Sequence, residues 1–575
     1  MASKENKNRR IRPKKEKPAY ISWRFNLVLI VVALAFLSLF LRTAWIQVIN
    51  PDKLIYEGDL RSVRKLASDA TRGTIYDRNG EPLAISIPVR AIYVDPKVIH
   101  EKGSINNKEA WKAIAEVLDE PYEELMEKIA NPHKRFVYLQ RQVTSAIADF
   151  IEQLHLEGVY TRNEYRRFYP TGEINAQLIG ITNIDDHGIE GVEKSYDDWL
   201  TATPSKKRVR KDARGNVIET LGYETEGKPA GDITLSIDHR LQSIAYSAVK
   251  SAYEQRNATS ISLVLADVQT GEILAMVNAP SFNPNAHNSY ESQRARNRAI
   301  TDTYEPGSTV KPIVAISALE HKVTNWNEVF DTRPFRIYTK TITDSHRMAS
   351  GNIADIIKYS SNIGMARIAL RMNPDDIVQT LSDFGLGVKQ DLGLVGEASG
   401  MLPHRRRWSD IEKATIGFGY GLRISPIQLT SAYVTIANGG IHKPLSILKL
   451  DPGQQPAGVR VADEKIMKRM AESLETVVGG GGTGSQARIP GYTVAGKTGT
   501  AKVAVRGGYG KDYVGTFAGY APASNPRFAL VAIVNEPKKG GFYGGVVAGP
   551  LFAEVMSAAL QLYNVPPDDL KTNAK

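Results

Sequence analysis

The chain contains no cysteine in its 575 residues. Disulfides, thiolate metal centres and a cysteine nucleophile are therefore excluded. Its ten histidines show no HxxxH-type spacing, so nothing in the sequence points to a metal-dependent mechanism or to a bound cofactor. No solenoid-like repeat runs through it. A clustered basic-aromatic stripe of the kind that reads nucleic acid is also missing. The net charge of +11 does not replace one. Residues 1–20 carry eight cations and two acids, a surplus of six, so more than half of the excess sits in a short N-terminal tail. Long apolar runs are equally scarce, with one exception.

That exception is Phe25–Leu41, seventeen uncharged residues bracketed by Arg24 and Arg42. With Ala44, Trp45 and Ile46 it reaches spanning length, and Trp23 and Trp45 fall where interfacial aromatics belong. No small-residue cleavage pattern follows before Trp45, so an uncleaved anchor over 23–46 is expected, not a signal peptide. The positive-inside rule puts the basic tail, residues 1–22, in the cytoplasm and the bulk of the chain across the membrane.

A chain of this length divides into domains. Residues 55–230 read as a mixed α+β region. Asn79-Gly80 marks a hairpin between Thr74–Tyr76 and Pro82–Ile85. Helical periodicity covers Asn106–Asn131 and Thr144–Leu156. Arg166-Arg167 and Gly188–Glu193 have no nucleophile beside them and read as buried ion pairs and turns. From 231 to 565 the texture changes. A helix is expected over Arg240–Gln255 and strands over Ser260–Asp267 and Glu272–Val277. Further strands are expected near Tyr492–Ala495, Val514–Tyr520 and Phe528–Glu536, then a helix from Leu551 to Tyr563. This order fits one antiparallel sheet assembled from both ends of the domain, with helices on both faces. Pro566–Lys575 reads as a flexible tail.

Within this second domain three motifs stand in order: Ser308-Thr309-Val310-Lys311, Ser360-Ser361-Asn362 and Lys497-Thr498-Gly499-Thr500. Pro306-Gly307 precedes Ser308, which opens a helix where free N–H groups favour developing negative charge. Lys311 is one turn away. A serine needs a base, and an amine serves only if burial and a neighbouring cation lower its pKa. Lys497 supplies that repulsion. On the strand, Thr498 and Thr500 face one way and Lys497 the other, two hydroxyls for a carboxylate with charge behind. Gly499 leaves the edge open for a substrate backbone. Singly the motifs are cheap, since SxxK recurs at Ser62, Ser247 and Ser446, and SxN at Ser104, Ser281 and Ser350. The ordered set is the signal, and it suits acyl transfer through a serine ester.

The SxxK, SxN and KTG set resembles that of penicillin-binding proteins and serine β-lactamases. Arg72–Gly80, Arg167–Pro170, Gly188–Glu193, Tyr304–Gly307 and Gly417–Gly421 extend the likeness to the class B penicillin-binding proteins, in particular their division-specific branch. That resemblance implies a penicillin-binding transpeptidase fold, an α/β arrangement with an antiparallel sheet flanked by helices, on a dimerisation-type pedestal. It also implies a peptidoglycan D,D-transpeptidase that is acylated by β-lactams and works at the septum. Ser308 would attack the penultimate D-Ala carbonyl with Lys311 as base. Ser360 and Lys497 would pass a proton to the leaving amine, Asn362 would hold a donor amide, and Thr498 and Thr500 the terminal carboxylate. The N–H groups of Ser308 and Thr500 would form the oxyanion hole. Implied partners are stem peptides ending in D-Ala-D-Ala, β-lactams, the inner membrane, an FtsW-type glycan polymerase and other division proteins. The elongation-specific transpeptidase, a D,D-carboxypeptidase or β-lactamase, and a β-lactam receptor share the active-site pattern.

Overall fold

The computed structural model describes residues 22–49, 51–67, 71–203, 205–212, 217–225, 227–286 and 290–569. The cytoplasmic-tail expectation for residues 1–22 thus lies almost wholly outside the described residues. Within Met1–Asp69 and Pro204–Lys228 the described residues form one compact unit, and within Ala70–Thr203 and Pro229–Lys575 a second.

In the first unit a helix runs from Ser22 to Val48, 27 residues with no part of its apolar window buried. Leu, Val, Phe and Ile cover it all round, the composition of a span facing lipid. Strands Val63–Ala67, Lys206–Lys211 and Val217–Thr225 form an antiparallel three-stranded sheet in the same unit.

The second unit begins with the pedestal. Its long strand, Pro82–Val94, pairs antiparallel with Val137–Val143 and Val159–Phe168 and, through the expected hairpin, with Ile75–Tyr76. Gly80 at the turn has φ +89°, a conformation glycine adopts without strain. The helical stretch expected over Asn106–Asn131 is broken into Lys108–Leu118 and Tyr122–Ile129. Asp119 turns left-handed (φ 54°) and Pro121 follows, which together stop the first helix. Trp111, Ile114, Leu125 and Ile151 bury against Ile92 and Val94 as a separate small core.

Five strands make the main sheet: β1 (Ser260–Asp267), β2 (Ile273–Ala279), β3 (Ala495–Val505), β4 (Gly508–Ala521) and β5 (Phe528–Asn535). Their order is β2-β1-β5-β4-β3, antiparallel throughout. Residues from both ends of the domain therefore meet at the β1–β5 pair, as the strand pattern predicts. Both faces are covered. Ile261, Leu263 and Leu265 turn toward helices α1 (His239–Arg256) and α6 (Gly549–Leu562). Val264 and Ala266 turn to the opposite core. That core holds α2 (Lys311–Glu320), α3 (Asn362–Arg371), α4 (Pro426–Ala437) and α5 (Glu464–Val478). Every residue of β1 and β2 is buried, which explains their near-continuous apolar sequences.

The tail expected to be free from Pro566 is held further than that. Asp568 accepts from Thr493 N at 2.7 Å, and Asp569 N donates to Gly491 O at 3.1 Å. A carboxylate so placed ties Asp568 to the segment that leads into β3.

Candidate active site

Ser308 lies in a tight turn, Gly307–Val310, that runs into α2. The expected helix start is thus a 3₁₀ turn followed by Lys311 at the head of the α-helix, with Pro312 just inside it. Three contacts fix the turn. Thr309 Oγ1 donates to Pro306 O (2.9 Å), the buried Tyr433 hydroxyl of α4 donates to Thr309 O (2.9 Å), and Gly307 N donates to Gly419 O (3.1 Å). Gly419 has φ +89°, and a Cβ there would stand 2.0 Å from Gly307 O. Within the Gly417–Gly421 motif, Gly419 is therefore a floor that only glycine can lay this close to the Ser308 turn.

Lys311 and Lys497 are both completely buried. The Lys311 amine donates to Ser360 O (2.6 Å), Asn362 Oδ1 (2.7 Å) and Ser360 Oγ (3.2 Å). From β3 the Lys497 amine donates to the same Ser360 Oγ (2.9 Å) and to Thr498 O (3.2 Å). All three motifs, distant in sequence, thus share one cleft around one hydroxyl. Burial, then repulsion from Lys497, holds the Lys311 amine well below the usual lysine range, while Asp344 acts in the opposite sense. Burial lowers Lys497 to about 7. An amine in this range can exchange a proton near neutral pH.

Ser360 has a left-handed backbone, φ 59°, uncommon outside glycine and asparagine. Both lone pairs of its hydroxyl are taken by the two amines, so its own O–H can only be given elsewhere. Among the described residues the Ser308 hydroxyl has no hydrogen-bond partner, so it is free to turn toward either amine or a substrate.

Ser361 caps α3 by accepting from Gly364 N (2.9 Å). The residue that fixes this corner is Asp344, which carries no motif signature in the sequence. Its carboxylate accepts from Ser361 Oγ, from Asn362 N and, at 3.0 Å, from Ile363 N. A carboxylate over three donors at a helix start is favoured by the dipole, and it locks the backbone that presents Ser360 and Asn362.

On β3 the side chains alternate as the pattern predicts. Thr498 Oγ1 meets Thr483 Oγ1 at 2.9 Å, and Thr500 Oγ1 accepts from Gly544 N at 3.0 Å, leaving its O–H to donate. Thr483, in a glycine-rich loop, is a second neighbour that sequence reasoning missed. Gly499 has a different cause from the one expected. A Cβ there would not obstruct the open edge. It would stand 2.8 Å from Thr309 Cγ2 and 3.0 Å from Pro306 O, so the glycine seats β3 against the Ser308 turn. In that seat Thr500 O lies 3.5 Å from where a Gly307 Cβ would be, which brings the Thr500 backbone close to the residue before Ser308.

Arg166-Arg167 and Gly188–Glu193 lie far from this cleft in the fold. Arg167 and Arg72 both bond Glu193 in the pedestal interior at 2.6 Å, the ion pairs expected there.

Residues 261–557 match the penicillin binding protein transpeptidase domain, and residues 67–235 the penicillin-binding protein dimerisation domain. Peptidoglycan D,D-transpeptidase FtsI of Escherichia coli K12 is 47% identical over 576 residues, covering 100% of this chain and 97% of its own. The enzyme of the same name from Buchnera aphidicola subsp. Schizaphis graminum is 44% identical over 97% of this chain and 98% of its own. Among solved structures, a peptidoglycan synthetase from Bifidobacterium adolescentis superposes with TM-score 0.69 at 26% identity, over 89% of this chain and 99% of that one. The transpeptidase domain of Burkholderia pseudomallei penicillin-binding protein 3 gives 0.54 at 38% identity, over 58% and 98%.

Proposed function

The chain belongs to the penicillin-binding protein transpeptidase family, and from that membership we propose that it is a peptidoglycan D,D-transpeptidase of the septal wall, acylated by β-lactams. The FtsI name of the relatives favours the septum over the elongating side wall. Ser308 Oγ attacks the penultimate D-Ala carbonyl and passes its proton to Lys311. In its neutral form that amine keeps the two short bonds to Ser360 O and Asn362 Oδ1, gives up the longer one to Ser360 Oγ and so has a lone pair to accept with. The carbonyl oxygen, facing the Ser308 and Thr500 N–H groups, takes the developing charge; such donors contribute roughly 3–4 kcal/mol each in other enzymes. Collapse breaks the D-Ala–D-Ala amide. The proton reaches the departing nitrogen from Ser360, replenished through Lys497 and Lys311. Asn362 holds the donor peptide, and Thr498 and Thr500 its terminal carboxylate. An amine of a second stem peptide then forms the new amide and frees Ser308.

The observation that carries this reading is the Ser360 hydroxyl accepting from both buried amines. A scaffold has no use for two desolvated lysines facing each other. The domain boundaries proposed are anchor 23–46, pedestal 55–230 and transpeptidase 231–565, with the sheet of Val63–Ala67, Lys206–Lys211 and Val217–Thr225 lying in the same compact unit as the anchor helix. The Ser22–Val48 helix, the one candidate span among the described residues, supports a single-pass protein. With the basic tail in the cytoplasm, the catalytic domain stands in the periplasm of a Gram-negative cell, at its inner membrane. An FtsW-type polymerase and other division proteins are the partners expected beside the anchor and pedestal.

The test is adduct mapping. The full-length chain in detergent, incubated with a labelled penicillin, should carry the label on Ser308 by mass spectrometry, and Ser308→Ala should carry none. Label on another residue, or equal labelling of the variant, rejects the mechanism.

A further inference from the structure

Transpeptidation needs two stem peptides, and the motifs provide for only the first. The amine that resolves the Ser308 ester takes the place of the amine that left, because the second half-reaction is the first run backwards. Ser360 Oγ marks that place. A departing D-Ala is small, whereas an arriving stem peptide has bulk that must run outward from Ser360 over ground the donor leaves free. The donor lies against β3. The opposite flank is the loop that contains Thr343 and Asp344.

Asn362 is the partition between the two sides. Its Oδ1 accepts from Lys311 and its Nδ2 donates to Thr343 O at 3.3 Å. Beyond it opens a cleft of about 540 Å³ bordered by Thr332, Arg333, Thr343, Asp344, Arg347 and Ile363, within the range of cavities that take a ligand of a few residues. Its charges are unequally committed. Arg333 is bound by Asp331 (Nε to Oδ1 3.0 Å, Nη2 to Oδ2 2.9 Å). Asp344 is spent on Ser361 and the start of α3. Exposed Arg347 has no hydrogen bond or ion pair among the described residues, and a planar guanidinium is shaped for a carboxylate.

We infer that this cleft is the subsite for the acceptor stem peptide, and that Arg347 binds a carboxylate of that peptide set apart from its reacting amine. The inference rests on the transpeptidase reading. The step it serves forms the bond from the acceptor nitrogen to the acyl carbon, breaks the bond from that carbon to Ser308 Oγ, and returns the amine's proton to Oγ.

The full-length chain in detergent micelles tests this with a pentapeptide donor ending in D-Ala-D-Ala and two acceptor peptides of equal length. One acceptor carries its distal carboxylate free and the other carries it as the amide. The free acid should show an acceptor KM about fivefold lower, the size expected of a partly solvated arginine–carboxylate pair. Arg347→Gln should abolish that difference and Arg347→Lys should keep part of it, with penicillin acylation of Ser308 as the donor-side reference. No difference between the acceptors in the parent, or a difference that survives in Arg347→Gln, overturns the inference. So does a loss of acylation in Arg347→Gln with acceptor preference intact, which would assign the cleft to the donor. Failure of the parent to acquire penicillin on Ser308 would remove the transpeptidase reading and this inference together. Normal acylation without acceptor discrimination removes the inference alone.

Discussion

A lysine ammonium with no water around it is costly, and Lys497 keeps a pKa near 7 as a result. Its folded pKa lies below the unfolded value of about 10.4, so the group destabilises the fold most at acidic pH. The penalty shrinks as pH rises from 7 toward 10, where the folded amine is already neutral and the unfolded one still charged. Lys497→Met should therefore melt at a higher temperature than the parent, with a wider gap at pH 6 than at pH 9 by calorimetry, while penicillin acylation falls at least about a hundredfold. Acylation of the parent should rise with pH through neutrality, as the two amines lose their protons; a rate independent of pH between 6 and 8.5 would contradict the assigned base. Asp344→Ala tests the corner beneath Ser360. It leaves Ser361 Oγ and two N–H groups without their acceptor, a loss of about 1–3 kcal/mol per buried group, and acylation should slow about tenfold or more with the fold retained by circular dichroism.

Among the elements, β3 carries the greatest demands, since it lies at the sheet edge, bears Lys497 and seats the nucleophile turn through Gly499. Gly499→Ala should displace it from Thr309 and slow acylation with little change in the rest of the sheet. The far end of the β3–β4 hairpin is tied back by Glu305, whose Oε1 accepts from Gly421 N (2.9 Å) and the Tyr509 hydroxyl (3.1 Å). Tyr509→Ala should release it, giving faster protease nicking between Val505 and Gly510 than in the parent. Much of this was legible in the sequence: Ser308, Lys311, Ser360 and Lys497 follow from residue types in order, and the strands of the sheet from their apolar runs. The reason for Gly499 was not, because periodicity says which face a side chain takes and not what stands opposite. Asp344 was invisible as one more acid in a polar loop, and the two- and three-residue strands between Phe330 and Gly351 are too short for any period to show. Asp119 stopped a helix in a conformation no pattern marks.

Across the whole molecule, the pedestal holds together through buried charge. Arg72 reaches Glu193 and Asp197, both at 2.6 Å, while Arg167 shares Glu193, with the side chains of Arg72, Arg167 and Glu193 all at most 2% exposed. Removing the shared acid strands two guanidinium groups in the interior, so Glu193→Gln should lower stability by about 3–5 kcal/mol, read as a fall in the denaturation midpoint. The catalytic domain is joined to this pedestal by Asp77, whose carboxylate accepts from Asn79 N and Glu81 N in the hairpin and from His239 N at the start of α1. The sheet order adds a consequence for how the enzyme comes into being. Strand β1 finds its partner β5 only after some 260 intervening residues have been made. A ribosome that halts before Ala495 leaves two strands of five, no second amine and no closed sheet. Such a fragment would be silent, not feeble, and catalytic competence would arrive in one step, once the three strands between Ala495 and Asn535 have emerged and closed the sheet.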